Sequence, residues 1–175
     1  MPTNIEIKAK AADWDGQLSR ARALCGRTEE LTQTDTFFRC KNGRLKLRDL
    51  GSRGGSCLIF YRRPDRPGPK ESAYETSAVS DPASMRKVLA KAWGEGKTVR
   101  KKRTVLWVGR TRVHFDEVEG LGRFIELEVC LEAGQTPPEG ETIARDLMAR
   151  LGIEAADLLE GAYVEMLTLG RVNAP

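Results

Sequence analysis

Segment after segment of this chain alternates one apolar residue with one charged residue, and that period of two constrains the fold more than any other feature. In "TNIEIKAKA", Ile5, Ile7 and Ala9 fall on one side and Asn4, Glu6, Lys8 and Lys10 on the other. "LKLR" sets Leu45 and Leu47 against Lys46 and Arg48. "VRKKRTV" puts Lys101 and Arg103 on a single face, and "FYRRP" adds Arg62 or Arg63. "RVHFDEVEGLGRFIELEV" repeats the pattern twice: Arg112, His114 and Asp116 lie opposite Val113 and Phe115, then Glu126 and Glu128 lie opposite Ile125, Leu127 and Val129, with "GLG" as the bend between. Side chains alternate across a strand. The chain therefore predicts a sheet that is apolar on one face and ionic, in both signs, on the other.

The other segments complete an α+β pattern. "QTDTFFRC" and "GRLKLRDL" read as strands joined through Lys41-Asn42-Gly43, a turn signal. "CLIFYRRP" is a strand ended by Pro64, and "ESAYETSAV", "TVRKKRTVLWVG", "RTRVHFDEVEG" and "RFIELEVCL" follow as strands. "ADWDGQLSRARALCG" is a helix capped by Asp13, with Trp14, Leu18, Ala21 and Cys25 on one stripe; "SDPASMRKVLAKAWG" is a second, capped by Ser80 or Asp81. Two more helices are expected near residues 141–151 and 155–168. Many sequential antiparallel strands with few helices suggest a barrel or a strongly curved sheet, with helices packed outside. We expect one domain over residues 1–170 and a C-terminal tail at 171–175.

Composition narrows the function classes. No apolar run approaches the roughly 20 residues that span a bilayer, so no membrane partner is expected. The N-terminus lacks an apolar signal region and the four cysteines show no metal-ligand spacing, which suits a cytoplasmic protein with reduced thiols. A single histidine excludes a multi-histidine metal site, so a metal would rest on carboxylates and would be Mg²⁺ or Mn²⁺. The net charge of +4 fits either nucleic acid or a small polyanion. Nucleic acid is disfavoured, because aromatics are 6% of the chain and "RKKR" at 100–103 alternates faces on a strand. Trp14, Trp93 and Trp107 read as packing residues, and His114 as a substrate contact or a polar partner of Asp116.

Two readings of the ionic face stay open at this level. It is a solvated sheet face, as antiparallel sheets often have, or it is the inside of a barrel. In the second case crowded cations and carboxylates require a ligand that neutralises them, and a polyphosphate with a divalent metal does so.

A set of motifs, in order, favours the barrel. Glu6 and Lys8 are similar to a Glu-x-Glu-x-Lys strand, with Asn4 in place of its first Glu; "LKLR", "YRRP", "KKR" and "DEVEGLGRFIELEV" follow, and "AYVEML" carries Tyr163 near the end. Together these resemble the CYTH family of triphosphate tunnel metalloenzymes, within it the class IV adenylyl cyclase-like branch. The resemblance covers nearly the whole chain. It implies an eight-stranded antiparallel β-barrel around a tunnel, with helices outside. Lys8, Lys46, Arg48, Arg62, Lys101 and Arg103 would bind phosphate, Glu6, Asp116, Glu126 and Glu128 would hold Mg²⁺ or Mn²⁺, and Lys8 and Glu6 would be catalytic. Asn4 offers no charge to a second metal ion. The implied activity is conversion of ATP to cyclic AMP and pyrophosphate. Hydrolysis of tripolyphosphate or thiamine triphosphate is the alternative, and non-catalytic binding of a polyphosphate or nucleotide is a third reading. A monomer or homodimer is expected.

Overall fold

The alternation resolves into closure. The computed structural model describes residues 3–168, so the expected tail at 171–175 lies outside the described residues. The elements in order are β1 (Thr3–Lys10), α1 (Trp14–Leu24), β2 (Arg27–Phe38), β3 (Arg44–Asp49), β4 (Cys57–Arg62), β5 (Lys70–Ala78), α2 (Pro82–Trp93), β6 (Glu95–Val108), β7 (Thr111–Val118), β8 (Gly122–Cys130), α3 (Pro137–Leu151) and α4 (Tyr163–Thr168). The strands form a closed barrel in the order β1-β5-β4-β3-β2-β6-β7-β8. Every neighbouring pair is antiparallel.

The core lies between barrel and helices, not inside the barrel. Ile5, Ile7 and Ala9 of β1 join Val113, Phe115, Ile125, Leu127 and Val129 in one buried cluster with Ala144, Leu147 and Leu151 of α3 and Ala21 of α1. Gly140 lets α3 sit close: a Cβ there would meet Ile5 Cγ1 at 2.7 Å and Leu131 Cδ2 at 2.5 Å. α2 covers the opposite wall, where Leu89 packs with Phe38, Leu45 and Leu47. With the apolar faces buried outward, the ionic faces point into the lumen. Of the tryptophans, Trp14 packs edge-on against Phe115 at 5.3 Å as expected, whereas Trp93 is 55% exposed.

Three boundaries differ most from the sequence reading. β2 starts at Arg27, six residues before Gln33, because pairing with β6 from Arg27↔Trp107 onward holds a stretch with no apolar alternation of its own. α3 starts at Pro137 rather than 141, since Thr136 and Glu139 form a capping box that makes the two prolines a first turn. The helix expected over 155–168 is a short 3₁₀ turn at Ala155–Asp157, an extended link, and then α4. In the link, Leu159 N donates to Lys8 O at 2.9 Å and Leu158 bridges to Ala9. Gly161 then takes a left-handed φ of 69°, so the chain turns and carries Tyr163 under one end of the barrel.

Candidate functional site

The lumen is a cavity of about 500 Å³. Its wall is built by residues of one parity from each strand: Asn4, Glu6 and Lys8 from β1; Gln33 and Asp35 from β2; Lys46 and Arg48 from β3; Lys101, Arg103 and Trp107 from β6; Arg112 and His114 from β7; Glu126 and Glu128 from β8. Glu6, Lys8, Lys46, Arg48, Lys101, Arg103, Glu126 and Glu128 thus converge, as their spacing predicts. Ala162 and Tyr163, at the start of α4, line one end.

Two expected residues do not sit where the sequence reading put them. Arg62 is exposed and turns outward, where its Nε donates to Asn42 O at 2.9 Å. Arg63 takes the inward place: its side chain is 5% exposed, and it donates to Glu6 Oε2 at 2.7 Å and Gly161 O at 2.8 Å. Its Nε is buried with no hydrogen-bond partner among the described residues. Asp116, expected as a metal ligand, is fully buried behind the wall. Arg103 grips both of its oxygens at 2.6 Å, Lys101 Nζ donates at 3.0 Å, and the Tyr163 hydroxyl donates at 3.0 Å. That carboxylate is a brace for two lumen cations.

The cations fall into two braced groups. On one wall, Asp35 accepts from Lys46 Nζ and from Arg48 Nε and Nη2, each at 2.9 Å. Burial alone would raise the Asp35 carboxyl, but Arg48 and Lys46 outweigh it and hold the group well below the usual carboxylate range. On the other wall, Lys8 Nζ lies 2.9 Å from Glu126 Oε1 and 3.5 Å from the centre of the Tyr163 ring. Arg103 also reaches Glu126, and Arg112 reaches Glu128 Oε2 at 2.8 Å. Burial, with Arg63 and Lys101 adding repulsion, brings the Lys8 ammonium down to about 8 against the pull of Glu126. Burial brings Lys46 to about 8 as well, against Asp35.

A divalent cation fits this donor set. One ligand atom each from His114, Glu126 and Glu128 lie within 4.8 Å of one another. Burial, with Arg103 nearby, pushes the His114 imidazole below its ordinary value. Burial would raise Glu128, yet the imidazole, Arg112 and Arg103 bring it to about 2, so it stays ionised. Glu6 faces the same lumen but is engaged by Arg63.

Sequence reasoning did not single out Asp35, although "QTDTFF" sets Gln33, Asp35 and Phe37 on one face. It read Trp107 as packing. Trp107 instead lines the mouth opposite the Tyr163 end, with Leu31, Leu50 and Val105 on the same wall and the Arg27 guanidinium 4.4 Å over its ring.

A CYTH domain model matches residues 2–163. The adenylate cyclase CyaB of Aeromonas hydrophila is 25% identical over 186 residues, covering 98% of this chain and 94% of that protein. The PH1012 protein of Pyrococcus horikoshii has a similar fold, with TM-score 0.83 and 22% identity over 93% of this chain and 98% of that one. HpAC1 from Hippeastrum, an adenylyl cyclase candidate described as having a dominant triphosphatase activity, matches with TM-score 0.66 and 17% identity over 97% of both chains. No described helix is long and apolar enough to cross a membrane.

Proposed function

This chain belongs to the CYTH domain family, and from that premise we propose that it is a metal-dependent enzyme acting on a triphosphate held inside the barrel. The observation that carries the reading is the convergence of Lys8, Lys46, Arg48, Arg63, Lys101 and Arg103 on one enclosed cavity that also holds His114, Glu126 and Glu128, a trio able to take a cation. Guanidinium and ammonium groups take phosphate oxygens by charge-assisted hydrogen bonds. Here they come from both walls, so a chain of phosphates spans the lumen as one phosphate does not.

Each part has a role in this reading. Lys46 and Arg48 hold one end of the polyphosphate, braced by Asp35. Arg63, Lys101 and Arg103 hold the other, with Asp116 and Tyr163 fixing the last two. Glu6 positions Arg63. His114, Glu126 and Glu128 hold Mg²⁺ or Mn²⁺, which when bound draws charge off the phosphate oxygens at the reacting phosphorus. Lys8 is the proton acceptor. Its Nζ lies in the lumen 2.9 Å from Glu126, and burial brings its ammonium down to about 8 in the free protein, so a fraction is neutral at physiological pH.

The favoured reaction is that of a class IV adenylyl cyclase. The ribose 3′-oxygen of ATP bonds to the α-phosphorus, the bond to the bridging oxygen breaks, pyrophosphate leaves, and the hydroxyl proton passes to Lys8 Nζ. The Aeromonas relative's name and the apolar mouth around Trp107, which suits an organic group on the triphosphate, support it. The second reading is a triphosphatase, in which water attacks a terminal phosphorus; the activity described for the Hippeastrum protein favours it. In both the partner is a small molecule and the setting cytoplasmic.

The deciding experiment is a turnover panel. ATP, tripolyphosphate and thiamine triphosphate are each offered with Mg²⁺ or Mn²⁺, and cyclic AMP, pyrophosphate and phosphate are scored. Turnover of at least one substrate, abolished by chelator, is expected. Tight binding without turnover of any would replace the enzyme with a polyphosphate-binding protein.

A further inference from the structure

We infer that His114 is a direct nitrogen ligand of the divalent cation in this tunnel, so that one imidazole and two carboxylates hold it and Mn²⁺ is preferred over Mg²⁺. This rests on the metal-dependent reading above and narrows it to a class of ion.

The inference starts from an orphaned atom. His114 is 3% exposed, and its Nδ1 is buried with no hydrogen-bond partner among the described residues. Buried polar atoms are nearly always paired, so an unpaired one calls for an occupant. Nδ1 lies 3.8 Å from Glu126 Oε2 and 3.8 Å from Glu128 Oε1. That is too long for a hydrogen bond. It matches the separation of two donors bound to one ion, since bonds of about 2.1 Å place neighbouring ligand atoms roughly 3–4 Å apart. Strand register enforces the arrangement: His114 is the cross-strand partner of Glu126, and Glu128 is the next residue on that face of β8.

Glu126 is engaged by Lys8 at Oε1 and by Arg103 at Oε2, so the ion would share Oε2 with Arg103, and the remaining carboxylates are held as well. Both Asp116 oxygens are taken by Arg103, and Glu6 is held by Arg63. Glu128 gives Oε2 to Arg112 and turns Oε1 toward the imidazole. A set of one nitrogen and two carboxylates discriminates between ions. Mg²⁺ demands oxygen donors and gives up water reluctantly, whereas Mn²⁺ accepts carboxylates and binds N/O sites as the first member of the transition-metal affinity series.

The test uses the chain's single histidine. The untagged full chain, with histidine ¹⁵N-labelled or unlabelled, is loaded with Mn²⁺ and examined by pulsed EPR. A nitrogen coupling to the electron spin that changes with the label is expected. Calorimetry should show Mn²⁺ binding at least tenfold tighter than Mg²⁺, and His114→Gln, which offers an oxygen in place of the nitrogen, should shrink that ratio to within about threefold. Mn²⁺ bound in the tunnel without a histidine coupling overturns the inference and leaves the metal-dependent enzyme standing. No Mn²⁺ binding, with or without tripolyphosphate, overturns both.

Discussion

Arg62 and Arg63 are neighbours in sequence with opposite surroundings, and that contrast makes a sharp test of the tunnel. In Arg63→Ala, the lumen loses a guanidinium whose Nε has no partner among the described residues and whose Nη1 is held by Glu6. A phosphate that took even one of these donors would gain a hydrogen bond to a charged group, worth about 1.5–3 kcal/mol. At about 1.4 kcal/mol per tenfold, triphosphate affinity should fall roughly 10- to 100-fold. The Glu6 carboxylate, left facing the phosphates unpaired, pushes the loss toward the upper figure. Arg62→Ala removes an exposed side chain bonded to Asn42 O, and surface changes of that kind stay within about 0.5 kcal/mol, or twofold. The assay is calorimetric titration of tripolyphosphate into each variant with Mn²⁺ present. Because Arg63 also donates to Gly161 O beside α4, thermal unfolding of each variant confirms that the folded fraction is unchanged at the assay temperature. Arg63→Lys, which keeps charge but not the fork, should recover only part of the affinity. Equal losses for the two alanine variants, or a loss under twofold for Arg63→Ala, would refute the assignment of the lumen as the phosphate site.

Tripolyphosphate binding should weaken as pH rises above about 8. Polyanion binding favours the protonated amines, so the affinity supplied by Lys8 and Lys46 is present below their free-protein values of about 8 and is lost above them, by up to tenfold per pH unit for each lysine; a flat profile to pH 9.5 by calorimetry would sink this. Glu126→Gln and Glu128→Gln should keep the fold, with a melting temperature down by a few degrees as Lys8, Arg103 and Arg112 lose counter-charge, and should lose turnover; wild-type rates in both would remove them from the metal site. Trp107→Ala should weaken ATP about tenfold, the scale of one base–aromatic stack, and leave tripolyphosphate within twofold; equal losses for the two ligands would return Trp107 to a packing role.

How far the sequence carried this depends on the strand. In Ile5–Lys10 of β1, Arg44–Arg48 of β3, Arg112–Asp116 of β7 and Ile125–Val129 of β8 the apolar and polar or charged residues alternate, so facing follows from parity, and Lys8, Lys46, Glu126 and Glu128 were legible. In β4 both parities are apolar: Ile59 and Tyr61 face the lumen, while Leu58 and Phe60 face outward. Nothing local says which side the two following arginines continue, and only closure of the barrel assigns Arg63 inward. Asp116 shares a face with His114, so parity was right, but its role depends on depth along the strand. It pairs with Arg103 and lies one step nearer the end closed by Tyr163, where cations surround it on all sides. The final helix was misjudged because Leu158 and Leu159 continue a helical apolar pattern while their backbone is captured by β1.

The opposed charges in the lumen also bear on why metal and triphosphate should be needed together. Lys8, Lys46, Arg48, Arg63, Lys101, Arg103 and Arg112 are seven cations, and Glu6, Asp35, Asp116, Glu126 and Glu128, the carboxylates that brace them, are five. With all three lysines protonated, and with Glu29 at the mouth set aside because Arg27 and Arg53 pair it, this set carries an excess of two positive charges, an amount the low pKa of Lys8 and Lys46 already trims. A tripolyphosphate brings roughly four to five negative charges near neutral pH. The protein alone would leave about half of that uncompensated in a site shielded from water, where each unpaired charge is costly. A divalent cation on His114, Glu126 and Glu128 closes most of the gap. A monophosphate, with roughly two charges, needs no such ion, so requirement for the metal should grow with the length of the phosphate chain.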